Sequence, residues 1–251
     1  MLTGLPVKKV MVIAHRGNSH FAPENTLASI FSAIAARVDM VEFDCHETKD
    51  NVPVLLHDDT LDRTTDSRKQ LKARRTRLAD VEYKEAVKLK AGSWFSKKYK
   101  EEKIPTVHEA LSLVKEYRMK ALVDHKAGSA ENLLKVIESL EMQTNVIVQS
   151  SDIAFLKKMQ KLNPAISLSW LGFKFLNKSM IQKAVELKVQ YLNWYFRRVT
   201  VNAIRQLHEQ NIKLLVFTVD EASHHKRMLK LGVDGIVTNR PWILKSQIKR
   251  M

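Results

Sequence analysis

Glu42 and Asp44 stand two residues apart in the mostly apolar run 40–46. Side chains alternate along a β-strand, so these two carboxylates point the same way. Two acids confined to one face of an apolar strand repel each other unless a cation or a proton sits between them. Other groups capable of chemistry stand close by. His15-Arg16-Gly17 ends the apolar run 10–14, Pro23-Glu24-Asn25-Thr26 follows it, and His57-Asp58 ends the extended run 52–56. The ionisable clusters thus gather in or beside short apolar runs, which is the signature of a site rather than of a solvated face.

The elements that must position these groups are strands and helices in alternation. Extended runs lie near residues 10, 40, 121, 146, 166, 190, 214 and 235, which makes eight strands. Helical spacing fills 25–35 (Leu27, Ile30, Phe31, Ile34), 107–117, 130–140, 152–162, 178–187, 201–210 and 221–231. Eight such units with right-handed crossovers close into an α/β TIM (β/α)₈ barrel. A doubly wound open sheet ranks behind it, because eight buried strands would stay unclosed. Barrels of this kind carry their functional groups at the C-terminal ends of strands. His15 and Arg16 follow the first strand, Glu42 and Asp44 lie late in the second, and Asp124 and Lys126 end the third. His57 ends the extended return after the second. The alternation lapses over 58–102, which reads as a basic insertion between the second and third βα units.

Composition bounds the rest. The chain has 251 residues, 45% hydrophobic and 27% charged, enough for a substantial core in one domain, 1–251. The basic excess of +15, with a pI of about 9.8, favours polyanions, anionic lipid surfaces or small phosphorylated ligands without choosing among them. A single cysteine, Cys45, leaves no internal disulfide and fits a reducing compartment. The stretch 1–9 holds no long apolar segment, and 10–14 is too short for a signal core or a membrane span, so a soluble cytoplasmic protein is expected. Heptads, zinc-like Cys/His spacing, a Walker-type loop and nucleic-acid motifs do not occur, so nucleic acid is not an expected partner.

The motifs His15-Arg16-Gly17, Pro23-Glu24-Asn25-Thr26, Glu42-Phe43-Asp44, His57-Asp58 and Asp62-Arg63-Thr64-Thr65, in this order, closely resemble those of the glycerophosphodiester phosphodiesterase family. Trp94-Phe95, Ile104-Pro105-Thr106 and the closing Gly232-Val233-Asp234-Gly235-Ile236-Val237-Thr238-Asn239-Arg240-Pro241 agree, so the resemblance spans essentially the whole chain. It implies a TIM barrel that hydrolyses glycerophosphodiesters to sn-glycerol 3-phosphate and an alcohol with a divalent cation, Ca²⁺ or Mg²⁺. It also implies attack by the substrate's own glycerol hydroxyl, through a cyclic phosphate that water opens. Glu42 and Asp44 match the family's metal-binding pair, and hard oxygen ligands suit those cations. His15 and His57 match its acid–base pair, one giving a proton to a poor leaving group while the other takes one. Arg16 matches its phosphate-contacting arginine. Glu24 and Asn25 divide between helix initiation and substrate contact.

Two departures stand out. The family usually ends its third strand with Glu, any residue, Lys; here the text is Asp124-His125-Lys126. Asp124 becomes the third metal ligand with one methylene less, Lys126 keeps its face toward the substrate, and His125 turns away as a structural residue. In Phe217-Thr218-Val219-Asp220, where relatives commonly have Trp and Asn, an aromatic wall survives but the hydrogen-bonding end does not. Trp170, Trp194 and Tyr195 are further candidates for the pocket wall, or else core.

Three functions follow. The first is hydrolysis of small soluble glycerophosphodiesters. The second keeps the chemistry on lysophospholipids or polymeric diesters, with the basic run of Arg68, Lys69, Lys72, Arg74, Arg75 and Arg77 as a collar that makes weak contact with an anionic membrane surface. Read plainly, that run is a solvated loop or short helix. The third is a barrel without turnover that binds polyanions through its charge, against which the intact His15, His57, Glu42 and Asp44 argue.

Overall fold

The computed structural model describes residues 10–250, so the reading of 1–9 lies outside it. Among the described residues nine strands form one sheet. They are β1 (Met11–Ala14), β2 (Met40–Glu47), β3 (Pro53–Leu55), β4 (Lys120–His125), β5 (Val146–Ser150), β6 (Ser167–Gly172), β7 (Tyr191–Tyr195), β8 (Lys213–Phe217) and β9 (Gly235–Thr238). Eight are parallel and closed on themselves, since β1 pairs with β2 on one side and with β9 on the other, Ala14 opposite Thr238. β3 stands outside that cylinder. It runs antiparallel to the end of β2, with Leu55 opposite Cys45.

Helices α1 (Leu27–Ala35), α2 (Ser67–Gln70), α3 (Tyr83–Ala86), α4 (Val107–Glu116), α5 (Ala130–Ser139), α6 (Ile153–Leu162), α7 (Lys178–Glu186), α8 (Val201–Glu209), α9 (Ala222–Leu231) and α10 (Pro241–Ile248) complete the chain. Side-chain caps fix where the crossover helices begin. Thr26 and Thr106 each close a capping box, with Ser29 and Glu109. Ser129, Asp152, Asn177 and Thr200 accept from the first-turn amides of their helices. The alternating text did not show α10, which follows the last strand with Pro241 at its first turn. No described helix is long and apolar enough to cross a membrane.

Two opposed side-chain layers explain why the site lies where it does. One phase of each strand, such as Val12, Val41, Val123, Val148, Leu192 and Val216, packs outward under the helices in the main core. The other phase fills the barrel: Ile13, Met40, Leu122, Ile147, Leu215 and Val237 form a separate apolar plug. Burial of such aliphatic chains stabilises the fold by ~1.5–3 kcal/mol each. Two residues further toward the strand C-termini, the same inward phase changes character. Ile13 leads to His15, Met40 to Glu42 and then Asp44, Leu122 to Asp124, and Ile147 to Gln149.

The segment 58–102 lies not between the second and third units, as its text suggested, but within the second, between its strand and its helix α4, and it hides a core of its own. Leu61, Leu78, Val81, Leu89 and Ile104 are buried against Val54 of β3 and Leu56 just beyond it. From this small cluster Arg68, Lys69, Lys72, Arg74, Arg75 and Arg77 all project into solvent.

Candidate active site

The β2–β4 register sets Asp44 directly opposite Asp124, and Glu42 shares their face. All three are sealed from solvent, and one oxygen of each lies within 4.8 Å of the others. Burial, then repulsion from Asp44 and Asp124, pushes Glu42 well above the usual carboxylate range. Asp124 is raised by burial as well, against the opposing pull of Lys126. Burial acts on Asp44 in the same direction, but Lys126 and Arg16 prevail and hold it low. Asp44 Oδ1 and Asp124 Oδ1 are buried without a well-formed hydrogen bond. Lys126 Nζ, 3.1 Å from the former, and the Gln149 amide beside the Asp124 carboxylate compensate only in part. An all-oxygen set with acceptor capacity to spare fits a hard divalent cation.

The loop after β1 folds over these acids in a constrained shape. Gly17 adopts φ +79°, and a Cβ there would fall 2.3 Å from Ser29 Oγ, so only glycine fits. Arg16 and Asn25 also take left-handed backbone conformations, φ 54° and 55°. Such residues cost about 1–3 kcal/mol each and persist only where surroundings hold them. Here the Arg16 amide donates to Glu42 Oε2 at 2.6 Å. Asn25 clasps Asp44 at both ends, donating Nδ2 to Oδ2 at 2.8 Å and accepting the Asp44 amide at 3.1 Å. Thr26 alone serves the helix start; Asn25 buttresses an acid, and Glu24 binds arginines.

Each histidine is oriented by a partner on Nδ1. His15 Nδ1 lies 2.7 Å from Asn239 Oδ1. The amide orientation follows from Asp220, which accepts the Asn239 side-chain Nδ2 and backbone N–H, both at 2.8 Å. Asn239 Oδ1 must therefore accept, so His15 carries its proton on Nδ1 and leaves Nε2 without one. Burial, reinforced by the Arg16 charge, lowers His15 to about 4. His57 arrives on the β3 return, whose Leu56 amide donates to Asp44 O at 3.3 Å. Its Nδ1 lies 2.7 Å from Asp58 Oδ1. Hydrogen bonds from Arg63 hold Asp58 down to about 2.

Arg63 ties the two halves together. Its Nε donates to Asp58 at 2.6 Å, while Nη1 and Nη2 donate to the two oxygens of Glu24 at 2.9 and 2.8 Å. Glu24 in turn accepts from Arg16 Nη1 at 2.8 Å, and Arg16 Nε stands 3.2 Å from Asp44. An alternating chain of charge thus runs His57–Asp58–Arg63–Glu24–Arg16–Asp44. Replacing Arg63 with methionine should slow turnover about 10–100-fold, as losing an outer partner of a site usually does. Steady-state kinetics should show the loss mainly in kcat, and lysine at 63, unable to form both forks, should not restore it.

A cavity of about 180 Å³ opens at this end of the barrel. His15, Arg16, Glu42, His57, Asp124 and Lys126 form its polar side, and Leu171, Phe173 and Phe217 its apolar side. Asp44 lies just beneath. Gln149 and Asn193 also line it, hydrogen-bonded to each other at 2.9 Å. Motif reading missed both; only the inward strand phase marks them. The aromatic wall is Phe217 set edge-on to Phe173 at 5.2 Å. Trp170 and Trp194 are not part of it. They sit on the outward phase, buried in the main core edge to face at 5.3 Å, whereas Tyr195 shares the phase of Asn193 and lies 6.5 Å from the Phe217 ring without lining the cavity itself. His125 turns away as expected, stacked on Phe155 at 3.5 Å with Nε2 on Gly128 O. Nor is the end of the β8 loop without a hydrogen-bonding role, since Asp220 is what holds Asn239.

The glycerophosphoryl diester phosphodiesterase family matches the chain over residues 15–242. A glycerophosphodiester phosphodiesterase of Caldanaerobacter subterraneus subsp. tengcongensis is 30% identical over 248 residues, covering 96% of this chain and 99% of the relative. One from Bacillus subtilis is 29% identical, covering 93% and 84%. An Oleispira antarctica phosphodiesterase, solved in complex with the product sn-glycerol-3-phosphate, superposes with a TM-score of 0.88 at 27% identity, covering 95% of this chain and 96% of that one. Matched from its first candidate histidine to the start of its last helix, the chain belongs to the glycerophosphoryl diester phosphodiesterase family.

Proposed function

We propose that this member of the family hydrolyses glycerophosphodiesters to sn-glycerol 3-phosphate and an alcohol, with Glu42, Asp44 and Asp124 holding a divalent cation, Ca²⁺ or Mg²⁺. The observation that carries this reading is the buried acid trio, with unsatisfied oxygens, at a cavity flanked by two separately oriented imidazoles. When bound, the cation offsets negative charge on the phosphate and on the acids themselves. Arg16 and Lys126 supply the remaining positive charge at the cavity wall.

His15 presents an unprotonated Nε2 and is the base of the first step. It takes the proton of the glycerol hydroxyl as that oxygen bonds to phosphorus. The bond from phosphorus to the alcohol oxygen breaks, and protonated His57 gives that oxygen its proton. Asp58 faces the charge that His57 carries in its protonated form and keeps the ring aimed. In the second step the roles reverse. Neutral His57 takes a proton from water as it attacks the cyclic phosphate, and His15 returns its proton to the glycerol oxygen. The single cysteine, Cys45, is free and buried, which suits a reducing cytoplasm.

Release of sn-glycerol 3-phosphate from glycerophosphocholine tests the reading, measured with EDTA and then with Ca²⁺, Mg²⁺ or Mn²⁺. We expect release with at least one cation and none with EDTA. Folded protein that releases nothing with any of them would refute the assignment for this substrate.

A further inference from the structure

We propose that the loops around the barrel mouth form a docking surface for anionic lipid bilayers. Single exposed apolar side chains on a soluble protein need no explanation. Here, however, Phe21, Trp94, Phe173 and Phe175 are 53%, 44%, 58% and 54% exposed; Phe21, Phe173 and Phe175 follow the C-terminal ends of β1 and β6, and Trp94 lies in the segment between β3 and α4. They form two groups at the cavity end. In the first, Phe21 packs on Trp242 at 4.5 Å, and its carbonyl accepts from Tyr99 Oη at 2.9 Å. That bond brings the Trp94 turn beside it, with Phe95 edge-on to both Trp94 and Tyr99. In the second, Phe173 extends the cavity's aromatic wall outward from Phe217. The Leu176 amide donates to Arg198 O at 3.0 Å, which sets the Phe175 loop against Arg197 and Arg198.

The same loops carry the cations such a surface requires. Lys97, Lys98, Lys100, Lys174, Arg197 and Arg198 are exposed and form no ion pair among the described residues. In a chain of net charge +15 these groups have an anionic surface as their natural complement. Aromatic tips at the headgroup boundary with lysine and arginine beside them are the composition of an interfacial contact. Polyanions in solution would use the cations but gain nothing from the exposed rings. The basic run 68–77, which the sequence suggested for membrane contact, carries no exposed large apolar side chain of its own. If the cavity is the hydrolytic site, it opens onto the bilayer, and diesters that carry an acyl chain come within its reach.

Co-sedimentation of the full chain with vesicles tests the surface without requiring turnover. Native protein should sediment with phosphatidylcholine vesicles containing phosphatidylglycerol and stay in solution with phosphatidylcholine alone. The double variant Phe21→Ser, Phe175→Ser should bind the anionic vesicles at least about tenfold more weakly, because apolar insertion is lost while charge is kept. Release from soluble glycerophosphocholine by this variant should match the native rate, which verifies folding, since neither residue lines the cavity. The proposal is overturned if native protein ignores both kinds of vesicle, or if the double variant sediments as native does, leaving charge alone as the cause. Vesicle binding without any product release would count against the hydrolase reading and not against the surface.

Discussion

His15→Ala should lower kcat for glycerophosphocholine by about 10²–10⁴-fold, the usual value of a positioned acid–base group. The size follows from how little else at the cavity can take its place. Asn239 accepts from both the His15 ring and Ser19 Oγ, and Asp220 fixes that amide, so only Nε2 of the ring is left to face the cavity. With its pKa lowered to about 4 by burial and Arg16, the ring stays neutral through the physiological range. A lowered pKa means the proton-free form dominates above that value, so the His15 step should lose rate only as pH falls toward 4. His57→Ala should cost a similar factor, and the double variant far less than the product of the two, because the pair acts as a unit. Unchanged thermal unfolding of each variant separates lost chemistry from lost structure. A His15→Ala enzyme within tenfold of native would end the proposed role.

Binding a divalent cation should raise the melting temperature of the native chain and not that of Asp44→Asn. At a cation concentration about 100 times the dissociation constant, linkage stabilises the folded state by ~2.7 kcal/mol. For a domain of this size that corresponds to roughly 5–10 °C. The physical source is the trio itself, where burial and mutual repulsion drive Glu42 far up and leave oxygens of Asp44 and Asp124 without well-formed hydrogen bonds. A cation removes the repulsion; asparagine at 44 removes a ligand and much of the penalty together. Asp124→Glu extends the third ligand by a methylene, and we expect the cation giving half-maximal product release to be needed at about 10–100-fold lower concentration. No melting shift with millimolar Ca²⁺, Mg²⁺ or Mn²⁺, together with EDTA-insensitive release, would remove the metal from the scheme.

The features legible in the sequence were those written locally. Eight apolar runs with helical text between them describe the barrel, because strand and helix periodicities are short-range. The spacing of Glu42 and Asp44 places both on one face for the same reason. Asn239 was present in the closing motif, yet nothing local pairs it with His15, 224 residues away. Gln149 and Asn193 belong to no polar cluster and become visible only when the inward strand phase is followed around the closed barrel. Trp170 and Trp194 were misleading on the same ground. They precede residues of the cavity phase by one position or follow them by one, and a one-residue step on a strand exchanges barrel interior for helix-facing core. Polar text over 58–102 concealed Leu61, Leu78 and Leu89, whose apolar positions are too sparse to show a period.

The antiparallel β3 return has a consequence for how the enzyme is lost as well as how it works. His15 follows a strand of the closed cylinder, but His57 is delivered by a hairpin in which Leu55 joins the main core while Val54 and Leu56 pack in the separate small cluster with Leu61, Leu78 and Ile104. Parts of a protein with their own packing open as their own cooperative units, at free energies below that of global unfolding. The His57 side of the cavity should therefore open as a unit of its own. We expect heat or denaturant to release it while the barrel and its three acids stay folded, so that inactivation precedes melting and amide exchange in the hairpin reports the one before the other.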